Sequence, residues 1–167
     1  TNSSEKLVMF GHGFFYNCLE LQDSWLRDMA NRNRWVIWCT DWYGMSRVDA
    51  FELVRIFLSN PGDVAVIRDP IAQGHVIAAT MVRMMKTTFS RDPSVTVGDN
   101  RSLLNTEKLA FIGISQGALL GGALGALSQD FDRIVLGVPG ASIALMLSRA
   151  TEWRLFGPLL DMAFYNQ

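Results

Sequence analysis

The feature that most restricts the fold of this chain is a run of 21 residues, Leu109 to Gln129, without a charged side chain. A single helix of this length can span a bilayer, because about 20 apolar residues cross the hydrocarbon core. Two observations oppose that interpretation. Ser115 and Gln116 would place polar groups in hydrocarbon, and Gly113 and Gly117 mark a break where a strand can pass into a helix. We therefore expect a buried strand followed by a helix, and we keep a membrane-associated protein as an alternative.

The rest of the chain alternates short apolar runs with segments of helical periodicity. The apolar runs that predict strands are Leu7–Phe10, Trp35–Cys39, Leu109–Ile112 and Arg133–Val138. Strands that are connected by helices form parallel sheets with covered faces. The sequence therefore predicts one α/β domain over residues 1–167, with a mostly parallel sheet of about four strands and helices on both faces.

The helices are predicted from their apolar stripes and from their start signals. One is expected from Leu19 to about Ala30 and another from Ala118 onward. A longer helix is expected to start at Asp69-Pro70, with the aspartate as N-cap and the proline in the first turn. A short helix is expected from Ser142 to about Arg149.

The composition excludes several classes of protein. With 167 residues, 49% of them hydrophobic, the chain can form one domain with a substantial core and is not disordered. Its 15 basic and 16 acidic side chains give a net charge of −1. No basic stripe marks a nucleic-acid partner.

The cysteines and histidines are too few for a metal-binding motif. Cys18 and Cys39 stand alone, and His12 and His75 are the only histidines, so we expect no metal site. A bridge between the two cysteines is one alternative, but we expect two buried thiols. We also expect no cofactor, because the chain has neither a dinucleotide-binding glycine loop nor a phosphate-binding loop with lysine.

The pentapeptide Gly113-Ile114-Ser115-Gln116-Gly117 carries the chemistry that the sequence suggests. A buried strand is expected before it and a helix of small residues after it, which is the context of a nucleophile elbow. In such a turn the serine Oγ is raised above the sheet, and the flanking glycines let helix and strands approach closely. The alternative is a glycine-rich packing turn with an idle serine.

A second motif, Gly11-His12-Gly13-Phe14, follows the first strand. Together with the Ser115 motif, and with Asp41 to Ser46 after the second strand, it resembles the α/β-hydrolase superfamily in its esterase and lipase branch. The resemblance covers most of the chain. It implies an oxyanion hole formed by the N–H groups of Phe14 and Gln116. It also implies that His12 orients its loop and is not the base.

The resemblance is incomplete, because the family's chain order is serine, acid, histidine and no histidine follows Ser115. We expect these four strands to match the third to sixth of the family's eight, with the missing part in a longer chain or a partner chain. The two open edges of the sheet would also allow self-association. His75, early in its helix, is a substitute base in one interpretation and a core histidine in the other.

The expected function is therefore that of a serine hydrolase acting on carboxylic esters, with a small-molecule or lipid ester as substrate. Ser115 would attack the carbonyl carbon, and the two N–H groups would hold the oxyanion. One alternative is a non-catalytic fragment or pseudoenzyme with the same fold. Another is an acyltransferase or thioesterase, which would use the same groups.

Overall fold

The computed structural model describes residues 5–140, 146, 148–151, 153–154, 157–158 and 161–162. The helix expected from Ser142 to Arg149 lies mostly outside these residues.

The main sheet has four strands, all parallel, in the order β2-β1-β5-β6. Its strands are β1 (Glu5–Gly11), β2 (Trp35–Cys39), β5 (Leu104–Ile114) and β6 (Arg133–Gly137). The prediction of an α/β fold with a parallel sheet is thus confirmed. Thr96–Val97 (β3) and Arg101–Ser102 (β4) form a small antiparallel pair that precedes β5 in the chain.

Four α-helices of eight or more residues lie in the described part of the chain. They are α1 (Ser24–Asn33), α2 (Ala50–Ser59), α3 (Arg68–Thr87) and α4 (Gln116–Leu127). None of the described helices has the length and apolar character needed to cross a membrane. The uncharged run is divided between β5 and α4, as the glycines around Ser115 predict.

Two helix starts differ from the prediction. The segment from Cys18 to Gln22 is a 3₁₀ helix, and α1 begins only at Ser24 because Asp23 has an extended backbone. Helix α3 begins at Arg68, one residue before Asp69. The Asp69 carboxylate therefore does not cap the helix, and it pairs with the Arg68 guanidinium at 3.2 Å instead.

The helices cover the two faces of the sheet unequally. Phe10 of β1 meets Trp25 of α1 edge to face on one side. On the other side α3 and α4 cover the main core, which contains Met9, Phe111 and Leu124. The residues of the edge strand β6 are largely exposed, with Val135 at 56%.

The order of the strands determines where a site can form. After β1 the chain crosses to β2 on one side, and after β5 it crosses to β6 on the other. Right-handed crossovers then put α1 and α4 on opposite faces. When the crossovers that follow two adjacent strands run in opposite directions along the sheet, their connections diverge and leave a crevice at the carboxyl ends of the strands. Open α/β sheets bind ligands in such a crevice. In this chain the point where the connections diverge lies between β1 and β5.

Candidate active site

Ser115 lies at the point where β5 ends and α4 begins, and its backbone is strained. Its φ is 55° and its ψ is −117°, a conformation that residues with a side chain rarely adopt and that costs about 1–3 kcal/mol. Its N–H donates to the Gly137 carbonyl at 3.0 Å, and its own carbonyl accepts the N–H groups of Ala118 and Leu119. The residue is exposed. These bonds hold the serine in the turn, with its side chain accessible.

The glycines of the two motifs allow the N-terminus of α4 to pack directly on the neighbouring strand. A Cβ on Gly117 would lie 2.0 Å from the Gly11 carbonyl oxygen and 2.8 Å from the His12 carbonyl oxygen. A Cβ on Gly113 would lie 2.3 Å from the Gly117 carbonyl oxygen. No larger residue fits at either position without displacing the backbone, so the glycines bring the loop after β1 next to Ser115.

The two expected oxyanion donors occupy corresponding positions beyond the ends of two adjacent strands. Gly11 and Gly113 are register partners in the β1–β5 pair. Phe14 lies three residues after Gly11, and Gln116 lies three residues after Gly113. Gln116 is the first residue of α4, so its N–H has no acceptor within the helix. The positive end of the helix dipole lies there as well, which favours a developing negative charge.

His12 is fully buried, and both of its ring nitrogens are engaged. Its Nε2 accepts the main-chain N–H of Trp42 at 2.9 Å, and this fixes the tautomer with the proton on Nδ1. That N–H donates to the carbonyl of Gly13 at 2.9 Å. His12 therefore ties the loop after β1 to the loop after β2, and it has no free nitrogen to accept a proton from Ser115.

The Gln116 side chain lies beneath the turn, with only 4% of the residue exposed. Its Nε2 donates to the carbonyl of Met45 at 2.8 Å, while its Oε1 has no hydrogen-bond partner in the described structure. The residue after Ser115 therefore also anchors the loop after β2, which the sequence did not indicate.

Backbone strain is concentrated at this edge of the sheet. In the described part of the chain, five residues other than glycine have a positive φ. Three of them, Phe15, Ser115 and Val138, follow the carboxyl ends of β1, β5 and β6. Such conformations cluster at functional sites, because only a supporting structure maintains them. Val138 is 75% exposed, and Tyr16 and Tyr43 beside the same edge are 58% and 50% exposed.

His75 is not free to act as a base. Its Nδ1 lies 2.9 Å from the Ile71 carbonyl in its own helix, and its Nε2 lies 3.1 Å from the Leu120 carbonyl in α4. The structure thus places it as a half-buried histidine between α3 and α4. Ser115 Oγ has no hydrogen-bond partner among the described side chains.

The expectation of two buried thiols is wrong, because Cys18 and Cys39 form a disulfide with their Cα atoms 5.8 Å apart. The 3₁₀ helix after β1 lies beside the end of β2, which brings the two cysteines together across 21 positions of the sequence. Within the described residues, these sulfurs and the Asp41 carboxylate form the one group with metal-ligand chemistry. Because the sulfurs are bonded to each other, they are not thiolate ligands.

The described structure also has a groove of about 810 Å³ between α3 and α4, lined by His75 among others. Ser115, Phe14 and Gln116 do not line it. The groove is therefore separate from the strained turn at Ser115.

Sequence reasoning missed two further groups at the site. The carboxylate of Glu20 accepts the N–H of Gly13 at 2.9 Å, although no spacing pattern links the two residues. The Trp42 N–H that His12 accepts is a main-chain group, which a sequence motif does not reveal.

Compared with protein-family models, curated proteins and solved structures, the chain has no match.

Proposed function

We propose that the chain belongs to a serine hydrolase of the α/β-hydrolase type that acts on carboxylic esters. A base takes the Ser115 hydroxyl proton as Oγ attacks the ester carbonyl carbon, and that proton passes to the leaving group, which departs as an alcohol. Water then hydrolyses the acyl-serine and releases the carboxylic acid. The main-chain N–H groups of Phe14 and Gln116 stabilise the oxyanion of each tetrahedral intermediate. Thioester hydrolysis and acyl transfer would use the same groups with a different leaving group or acceptor.

The observation that carries this proposal is the strained backbone of Ser115 at the end of β5. If this position served only to pack the turn, glycine would adopt the positive φ without strain. A strained serine there favours a role for its hydroxyl group. The position of the turn, where the connections of β1 and β5 diverge, adds support, because open α/β sheets bind ligands at such points. The exposed Tyr16, Tyr43 and Val138 at the same edge favour an apolar ester over a charged one.

A serine also needs a base, and both histidines of the chain are engaged elsewhere. The base and its acidic partner would then come from a further segment or a partner chain, as the family resemblance implies. The same observation favours a second candidate function, that of a non-catalytic scaffold with the hydrolase turn.

The two candidates are separated by labelling the protein, expressed from its complete gene, with a fluorophosphonate probe. One adduct on Ser115, lost in Ser115→Ala and kept in Ser59→Ala, would support the hydrolase. A folded protein that stays unlabelled would favour the scaffold. Unlabelled protein from the same preparation is then assayed with a p-nitrophenyl ester and the corresponding thioester to identify the substrate class.

A further inference from the structure

Glu20 is the acidic side chain that contacts the loop after β1. Its Oε2 accepts the Gly13 N–H at 2.9 Å, and its Oε1 lies 3.4 Å from the point where a Cβ on Gly13 would be. No salt bridge to Glu20 occurs among the described residues. The carboxylate therefore acts here as a hydrogen-bond acceptor rather than as half of an ion pair.

The hydrogen bond from the Gly13 N–H to Glu20 fixes the plane of the peptide between His12 and Gly13. The other plane, between Gly13 and Phe14, is held through the Gly13 carbonyl, which accepts from His12 Nδ1 at 2.9 Å and from the Tyr16 N–H at 3.2 Å. In a trans peptide the C=O and the following N–H point in opposite directions. The direction of the Phe14 N–H therefore follows from the bonds at Gly13. Glycine is the most flexible residue, so without these bonds the donor would be poorly oriented.

The segment that carries Glu20 is itself anchored to the sheet. Cys18, two residues earlier, is bonded to Cys39 at the end of β2. The Cys18 N–H also donates to Asp41 Oδ1 at 2.8 Å. Asn17 Oδ1 accepts the Leu19 N–H at 3.0 Å and caps the 3₁₀ helix. Because its segment is anchored to the sheet, the Glu20 carboxylate can fix the position of the loop whose Gly13 N–H it accepts.

We infer that Glu20 is a positioning residue of the oxyanion hole, acting through the Gly13 N–H, an inference that rests on the proposed hydrolase function. Its contribution is the acceptor oxygen, because a negative charge near a developing oxyanion is repulsive. Glu20→Gln keeps an acceptor oxygen and removes the charge, whereas Glu20→Ala removes both.

The test measures kcat and KM for p-nitrophenyl butyrate, using the protein expressed from its complete gene. Glu20→Ala is expected to lower kcat by about tenfold with KM nearly unchanged, since the donor acts on the transition state. Glu20→Gln is expected to retain the wild-type kcat or exceed it. Glu107→Ala, which removes an exposed glutamate near the amino end of β5, should match the wild type. A Glu20→Ala enzyme with wild-type kcat, or a Glu20→Gln enzyme as slow as Glu20→Ala, would overturn the inference.

A second measurement does not depend on activity. Exchange of the Gly13 amide hydrogen, followed by NMR, should be faster in Glu20→Ala and unchanged in Glu20→Gln. If Ser115 is inert to the fluorophosphonate, the hydrolase proposal fails and this exchange alone decides whether Glu20 holds the loop. Equal protection of the Gly13 amide in the wild type and in Glu20→Ala would show that it does not.

Discussion

The imidazole of His12 joins the loops that follow two neighbouring strands, because its Nε2 accepts the buried main-chain N–H of Trp42 at 2.9 Å. The opposite nitrogen donates to Gly13, one residue before the expected oxyanion donor. Through these two hydrogen bonds His12 contributes both to the stability of the fold and to the position of the loop that carries the expected donor.

Replacing His12 by alanine should therefore destabilise the protein more than replacing His75 does. The His12 variant leaves the Trp42 N–H buried without an acceptor and opens a cavity, which together cost about 2–4 kcal/mol. His75→Ala costs less, because the ring is only half-buried and its two partners are helix carbonyl groups that can still accept an N–H within their own helices. Urea unfolding of the two variants checks this order, and an equal or smaller loss for His12→Ala would contradict it.

Two adjacent glycines in α4 provide a matched pair for the packing of the helix on the sheet. A Cβ on Gly121 would lie 2.0 Å from the buried ring of Phe111, whereas on Gly122 its nearest neighbour is a Leu136 methyl at 3.5 Å. Gly121→Ala should lower the melting temperature, because the core must shift. Gly122→Ala should raise the free energy of unfolding by about 0.5–1 kcal/mol through the better helix propensity of alanine. Calorimetry of both variants measures the difference, and a stable Gly121→Ala protein would refute the close approach.

Reducing the disulfide between Cys18 and Cys39 should lower the free energy of unfolding by about 3 kcal/mol, as expected for a loop of this length. The double variant Cys18→Ser, Cys39→Ser should show the same loss without a reductant. Thermal unfolding with and without dithiothreitol measures the effect in both proteins. A wild type that does not respond to the reductant, or a double variant that does, would count against a stabilising bridge.

The Asp130 carboxyl should make stability depend on pH in the acidic range. Burial raises its pKa, but hydrogen bonds from Arg83 and Lys86 outweigh this and hold the pKa below the ordinary value. The stabilisation is therefore complete above the ordinary pKa of about 4 and is lost as pH falls through the lower pKa of the folded state.

The check compares the melting temperatures of the wild type and Asp130→Asn at pH 7 and near pH 2. The difference at pH 7 should correspond to at most about 1 kcal/mol, because Arg83 is largely exposed, and it should vanish near pH 2. Asp99→Asn, at an exposed loop position, serves as the control. A difference that persists unchanged near pH 2 would show that the ion pairs are not its cause.

Local sequence patterns predicted much of this fold. Parallel strands such as Trp35–Cys39 are uninterrupted apolar runs, and the glycines around Ser115 indicate the change from strand to helix. The contacts that complete the site depend on segments far apart in the chain. The pairing of Cys18 with Cys39 requires that the 3₁₀ helix lie beside β2, and the exposure of β6 depends on what covers its edge. The hydrolase family and the role of Ser115 remain predictions.

The pairing of β1 with β5 also has a kinetic consequence. Gly11 and Gly113 are direct neighbours in the sheet, yet about 100 residues of chain separate them, and contacts so distant in sequence form slowly because a large loop must close first. The adjacent pair of β1 and β2 needs a much shorter loop. Refolding should therefore produce β1, α1 and β2 first and bring Ser115 beside Phe14 only in the last step, so any chemical reactivity of Ser115 would appear after most of the helical signal has returned.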